Sequence, residues 1–137
     1  MLLLALLVSV GAWAGEPKKK NSLHGVWQLV QKNPKDGHEM TLPVWKVLEK
    51  GGSFCVFCIG DNTGRTIMTS KGKYVEKDDS TYVEHVRRSL QTNFGNNGAF
   101  ALTISYRYNA AGDMEITYRM PGAQNDGHET WRKIKMN

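Results

Sequence analysis

The stretch Ala99–Tyr108 alternates without a break, with Phe100, Leu102, Ile104, Tyr106 and Tyr108 on one side and Ala99, Ala101, Thr103, Ser105 and Arg107 on the other. A period of two puts each set on one face of a strand, so this segment predicts a β-strand that is buried on one face and solvated on the other. Such a strand needs neighbours to pair its backbone and a second apolar surface to cover its own. Further strands are predicted at Leu23–Gln31, Val44–Glu49, Ser53–Ile59, Thr81–Arg88, Met114–Met120 and His128–Ile134. Arg65–Ser70 and Lys73–Glu76 read either as one strand broken at Gly72 or as two short ones. Clusters of Gly, Asn and Asp separate the segments, as in Asn33–Gly37, Lys50–Gly52 and Asn109–Asp113. No segment after residue 15 sustains a helical period. About eight short, evenly spaced strands predict an all-β fold, a single antiparallel up-and-down barrel, with a sandwich as the alternative. A closed barrel of that size hides its strand edges and has room for one small ligand.

The chain has 137 residues, enough for one domain. Met1–Ala14 is uncharged, apolar except for Ser9, and ends in Ala12-Trp13-Ala14, a small-x-small pattern. Residues 1–14 are therefore read as a signal peptide, 15–22 as a flexible basic leader and 23–137 as the barrel domain. A membrane-spanning helix needs roughly twenty apolar residues, so this run is too short for a transmembrane anchor. No Lys or Arg precedes it, a departure from the usual charged start that leaves room for an upstream initiation codon. The expected location is exported, periplasmic or secreted. The formal charge is +5, from 18 Lys and Arg against 13 Asp and Glu. Three of the lysines stand together in Lys18–Lys20 and the rest are interleaved with carboxylates. That distribution describes a solvated surface and argues against nucleic acid as a partner; a homodimer is compatible with it.

Cys55 and Cys58 fall inside one predicted strand. Side chains three apart on a strand point to opposite faces, so a disulfide would need a bulge. No helix follows to make a redox motif and no second cysteine pair follows to make a zinc site, which leaves two small half-buried residues. The four histidines, His24, His38, His85 and His128, show no metal-ligand spacing. His24 and His128 would approach each other only through pairing of the first and last strands. No metal site, cofactor or catalytic grouping is expected. Trp45 reads either as a residue of the barrel mouth or as part of a partner-facing surface.

The first strand contains Gly25-Val26-Trp27 and the last contains Trp131-Arg132, with Gly72-Lys73-Tyr74 and Tyr82-Val83-Glu84 between them. In order and spacing these marks resemble the lipocalin-like, calycin-type domains of small secreted bacterial proteins of unknown function. The resemblance implies that Gly25, Trp27, Trp131 and Arg132 close the barrel. Trp27 would block one end, and the Arg132 guanidinium would lie across an indole, gaining cation–π attraction. Which of the two indoles it covers is left open.

In Tyr82–Arg88 either Tyr82, Glu84, Val86 and Arg88 share a face, or Val83, His85 and Arg87 do. If the first set points inward, Glu84 needs Arg88, a tyrosine hydroxyl, a ligand or a raised pKa to make its burial tolerable. The expected ligand-binding set is Tyr82, Glu84, Arg88, Tyr106, Tyr118, Leu102 and Ile104, an apolar surface with a few placed polar groups. The function this favours is non-enzymatic binding of a small hydrophobic or amphipathic molecule. The alternatives are a filled barrel that meets a protein or glycan through its loops, or an enzyme using Glu84 or His85 as general base.

Overall fold

The strand Phe100–Tyr108 keeps the alternation read from the sequence. Leu102, Ile104 and Tyr106 are buried, while Ala101, Thr103, Ser105 and Arg107 are exposed. A computed structural model describes residues 22–60, 63–90 and 99–136, so residues 1–14 and most of the expected leader lie outside the described part. Eight antiparallel strands run in chain order: β1 Gly25–Lys32, β2 Glu39–Leu48, β3 Ser53–Ile59, β4 Thr66–Glu76, β5 Thr81–Ser89, β6 Phe100–Tyr108, β7 Met114–Tyr118 and β8 Gly127–Lys133. Each pairs with the next, and β8 returns to β1 through Trp27↔Lys133, Gln28↔Arg132, Leu29↔Trp131 and Val30↔Thr130. The result is a closed up-and-down barrel, with no α-helix among the described residues. Closure pairs the backbone polar groups that an open sheet would leave at its edges.

Two strands are longer than their sequence patterns. β2 starts at Glu39 rather than Val44 and runs through Pro43. Proline is tolerated there because the β1–β2 register breaks at that point. Gln28 faces Trp45 and Val30 faces Thr41, so Leu42, Pro43 and Val44 stand against Leu29 alone. β4 is one strand rather than two, and it passes through Gly72 without interruption. A Cβ at Gly72 would lie 2.0 Å from the His85 carbonyl oxygen of β5 and 3.0 Å from the Phe54 ring. Glycine therefore lets β4 and β5 close up where their register shifts between Lys71 and Gly72.

The two ends of the barrel differ. One carries the chain entry at Leu23 and the β2–β3, β4–β5 and β6–β7 connections, and it is filled with large side chains. Leu23, Trp27, Leu48, Tyr82 and Met114 are at most 1 % exposed. Trp27 donates its indole N–H to the Leu23 carbonyl at 3.0 Å. A chain of ring contacts crosses this end, Tyr74–Tyr82 at 6.3 Å, Tyr82–Tyr106 at 5.7 Å, Tyr106–Tyr108 at 5.9 Å and Tyr108–Trp27 at 6.3 Å. Edge-to-face and offset pairs of this kind add about 0.5–1.5 kcal/mol each beyond area burial.

Gly72→Ala is expected to destabilise the barrel by about 2–3 kcal/mol in urea unfolding, because its methyl meets backbone that cannot rotate away. Gly51→Ala, where a Cβ meets nothing within 4 Å, is expected to stay within about 0.5 kcal/mol of wild type.

Candidate functional site

β5 sends Tyr82, Glu84 and Val86 into the barrel, all buried, and leaves His85 exposed. Glu84 is 4 % exposed, and its partner comes from across the lumen. Lys46 on β2, also 4 % exposed, donates to Glu84 Oε1 at 2.8 Å, and the Tyr82 hydroxyl donates to the same oxygen at 3.3 Å. Lys46 Nζ also sits 5.1 Å from the centroid of the Trp131 ring. A second carboxylate completes the network. Glu129 accepts from the Tyr118 hydroxyl through Oε1 and from the Trp131 indole N–H through Oε2, both at 2.9 Å. Among the described residues no buried side-chain nitrogen or oxygen lacks a partner, as buried polar networks require.

This network borders an interior cavity of about 110 Å³ whose walls include Val56, Leu102, Ile104 and Ile116. It extends towards Thr69, Ser70 and Ser89, at the end opposite the aromatic fill. A larger trough of about 830 Å³ lies open on the outside, bordered by Leu42, Thr117, His128 and Thr130 among others. The interior cavity is the candidate site, because buried charged groups converge on it and apolar walls surround them.

Of the predicted set, Glu84, Leu102, Ile104 and Tyr118 line the cavity, and Tyr82 reaches it through its hydrogen bond to Glu84. Two members of the set, Tyr106 and Arg88, do not line the cavity. Tyr106 is buried in the filled end between Tyr82 and Tyr108. Arg88 is exposed and pairs with Lys71, because the register shift between Val86 and Arg88 leaves Arg87 without a counterpart and reverses the inward–outward phase. Lys46, which sequence reasoning missed, takes the place expected of Arg88. The available signal was Val44-Trp45-Lys46-Val47-Leu48, where hydrophobicity alone favours turning Trp45 and Val47 inward and Lys46 outward.

The residues implied by resemblance also sort themselves. Trp27 and Trp131 are buried at 1 % and 2 % exposure. Gly25, at φ +147°, leaves space for the Lys133 side chain, whose Cε would be 2.7 Å from a Cβ there. Arg132 covers neither indole. Its guanidinium binds Asp113 through Nε at 3.0 Å and Nη2 at 2.8 Å, and reaches Glu39 at 2.9 Å. The cation over Trp27 is Lys133, at 5.3 Å. Position 132 lies on the opposite face of β8 from Trp131, so its side chain leaves the barrel. Trp45 is half-buried and stacks on Phe57, its cross-strand partner, at 5.5 Å. Cys55 and Cys58 are half-buried free thiols. His24 and His128 lie at opposite ends of the β1–β8 seam, because those strands pair antiparallel.

Burial works against the charge on Lys46, but the facing Glu84 carboxylate, with Tyr82 and Glu129, outweighs it and holds the ammonium above its ordinary pKa of 10.5. Burial raises the Tyr82 hydroxyl from 10.0, with Glu84 adding to the rise and Lys46 opposing it. Burial and then Glu129 push Tyr118 up to about 12.

A family model described as a domain of unknown function, DUF4488, matches residues 22–137 of the chain. No curated protein matches it.

Breaking the buried pair from one side, by Lys46→Met or Glu84→Gln, is expected to cost about 3–5 kcal/mol, because the remaining buried group loses its partner. The double variant Lys46→Met/Glu84→Leu is expected to recover most of that loss, as a double-mutant cycle in urea would show. Lys46, Tyr82 and Tyr118 all keep their protons to higher pH when folded. Their contribution to stability is therefore complete below about pH 10 and is lost as pH rises through the folded values. The unfolding midpoint is expected to fall from about pH 10 upward, and less steeply in the double variant.

Proposed function

The chain belongs to the DUF4488 family, and for this member we propose a lipocalin-like barrel that binds a small, partly apolar molecule in its interior. The observation that carries this reading is the cavity of about 110 Å³, bordered by Lys46, Glu84 and Glu129 and walled mainly by aliphatic and aromatic side chains, with Thr69, Ser70 and Ser89 at one end. Desolvation of an apolar ligand body would drive entry, and charge-assisted hydrogen bonds at the polar end would orient it. A binding role rather than a catalytic one is favoured by the state of the two candidate bases. Glu84 is engaged by Lys46 at 2.8 Å, and His85 is exposed on the outer face. Export of the protein is part of the proposal and rests on the signal-peptide pattern of Met1–Ala14. No helix among the described residues is long and apolar enough to cross a membrane.

A second reading, an interaction module working through its surface, draws on a different observation. On the outer face Trp45 stacks on Phe57, and Phe57 pairs with Met68, which is 50 % exposed. Apolar clusters of this kind on a sheet surface can mark contact sites.

Native mass spectrometry of protein purified from an exported compartment without detergent is expected to show an added mass that disappears on denaturation. NMR methyl shifts of Leu102, Ile104 and Ile116 with small amphiphiles report binding that is too weak to survive purification. A clean apo mass together with unmoved methyls would overturn interior binding and leave the surface reading.

A further inference from the structure

We propose that the interior cavity selects a primary ammonium carried on a slender apolar stem, and that Glu129 receives it. The proposal rests on the interior-binding reading above. Three residues bordering the cavity carry charge, Lys46, Glu84 and Glu129. Lys46 and Glu84 lie 2.8 Å apart and neutralise each other. The hydrogen-bond donors to Glu129, the Tyr118 hydroxyl and the Trp131 indole, are both neutral. They orient the carboxylate and leave its charge uncompensated by any cation within ion-pair distance among the described residues. Lys46 feels Glu129 at longer range, but its ammonium is already committed to Glu84.

One positive and two negative side chains give the lined cavity a formal charge of −1. A ligand ammonium would bring the charges that line the cavity to balance, whereas a ligand carboxylate would add a third negative charge beside the half-buried Glu129. Charges held away from water are tolerated when they are paired, so the cavity is complementary to a cation and unfavourable to an anion. The walls fit the same guest. Val56, Leu102, Ile104 and Ile116 suit methylenes.

Size sets the remaining limit. A dry cavity of about 150 Å³ holds benzene, which has six heavy atoms, so about 110 Å³ accommodates roughly four to five. The ligand would enter ammonium first, with anything longer trailing towards Thr69, Ser70 and Ser89.

The test titrates n-butylammonium, n-butanol and butyrate into the full chain near pH 7, reading the Leu102, Ile104 and Ile116 methyl shifts. Butylammonium is expected to bind at least about tenfold more tightly than butanol, with butyrate weakest. Glu129→Gln, whose side-chain carbonyl can still accept from Tyr118 or Trp131, is expected to remove that advantage. If butanol or butyrate matches butylammonium in the wild-type protein, cation selection is wrong while interior binding stands. If none of the three moves the methyls, interior binding fails and this inference fails with it. The wild-type comparison decides the question even if the Glu129 variant does not fold.

Discussion

A lysine and a glutamate meet inside this barrel from strands that are not neighbours. Lys46 is on β2 and Glu84 on β5, with β3 and β4 between them in the ring. Their contact therefore crosses the lumen, and it exists only because β8 returns to β1 and holds the opposite walls at a set separation. Two buried charges are costly to remove from water, and removing one partner leaves the other stranded. The pair thus ties the diameter of the barrel to the state of its interior. The rest of the inner polar network is arranged around it. Tyr82 donates to the same Glu84 oxygen, Trp131 lies beneath the ammonium, and Glu129 is held by Trp131 and Tyr118.

That network divides the interior into two parts with different roles. On one side are large apolar and aromatic side chains, with Trp27, Tyr82, Leu23 and Met114 packed to almost no exposure. Packing of this density supplies most of the stabilisation expected from burial and leaves little space for a guest. On the other side the cavity remains, lined by Val56, Leu102, Ile104 and Ile116 among others. A filled half that anchors the fold and an open half that carries polar groups is an economical division for a chain of 137 residues. The proposed binding role follows from that division rather than from barrel shape, which many unrelated functions share.

The outer surface has its own fastening. Arg132 joins Asp113, in the β6–β7 connection, to Glu39 at the start of β2. The bond to Asp113 is the stronger part, since that carboxylate is buried at 3 % exposure and receives two guanidinium N–H groups. Glu39 and Arg132 are both substantially exposed, and an ion pair in that setting contributes at most about 1 kcal/mol.

The strand pattern, the all-β class and the inward turn of Leu102 and Ile104 were legible in the sequence, because side-chain alternation is a local property of an extended backbone, whereas alternation alone left both faces of Thr81–Arg88 open. Trp27 as a buried residue at one end was implied by the family resemblance. What local pattern could not convey is where that alternation slips. The register shift beside Gly72 turns Arg88 outward, and the irregularity around Pro43 lengthens β2 beyond its apparent start. Nor does any spacing along the chain relate Lys46 to Glu84, or Glu129 to Tyr118, since the residues of each pair sit on different strands. A charged residue between Trp45 and Val47 reads as solvent-facing until the partner that makes its burial tolerable is known. The sequence by itself determined the elements and most of their inner faces, through a period of two repeated along each strand. The tertiary structure alone decided which charges meet, because that depends on ring closure and register, which are set by pairing between strands.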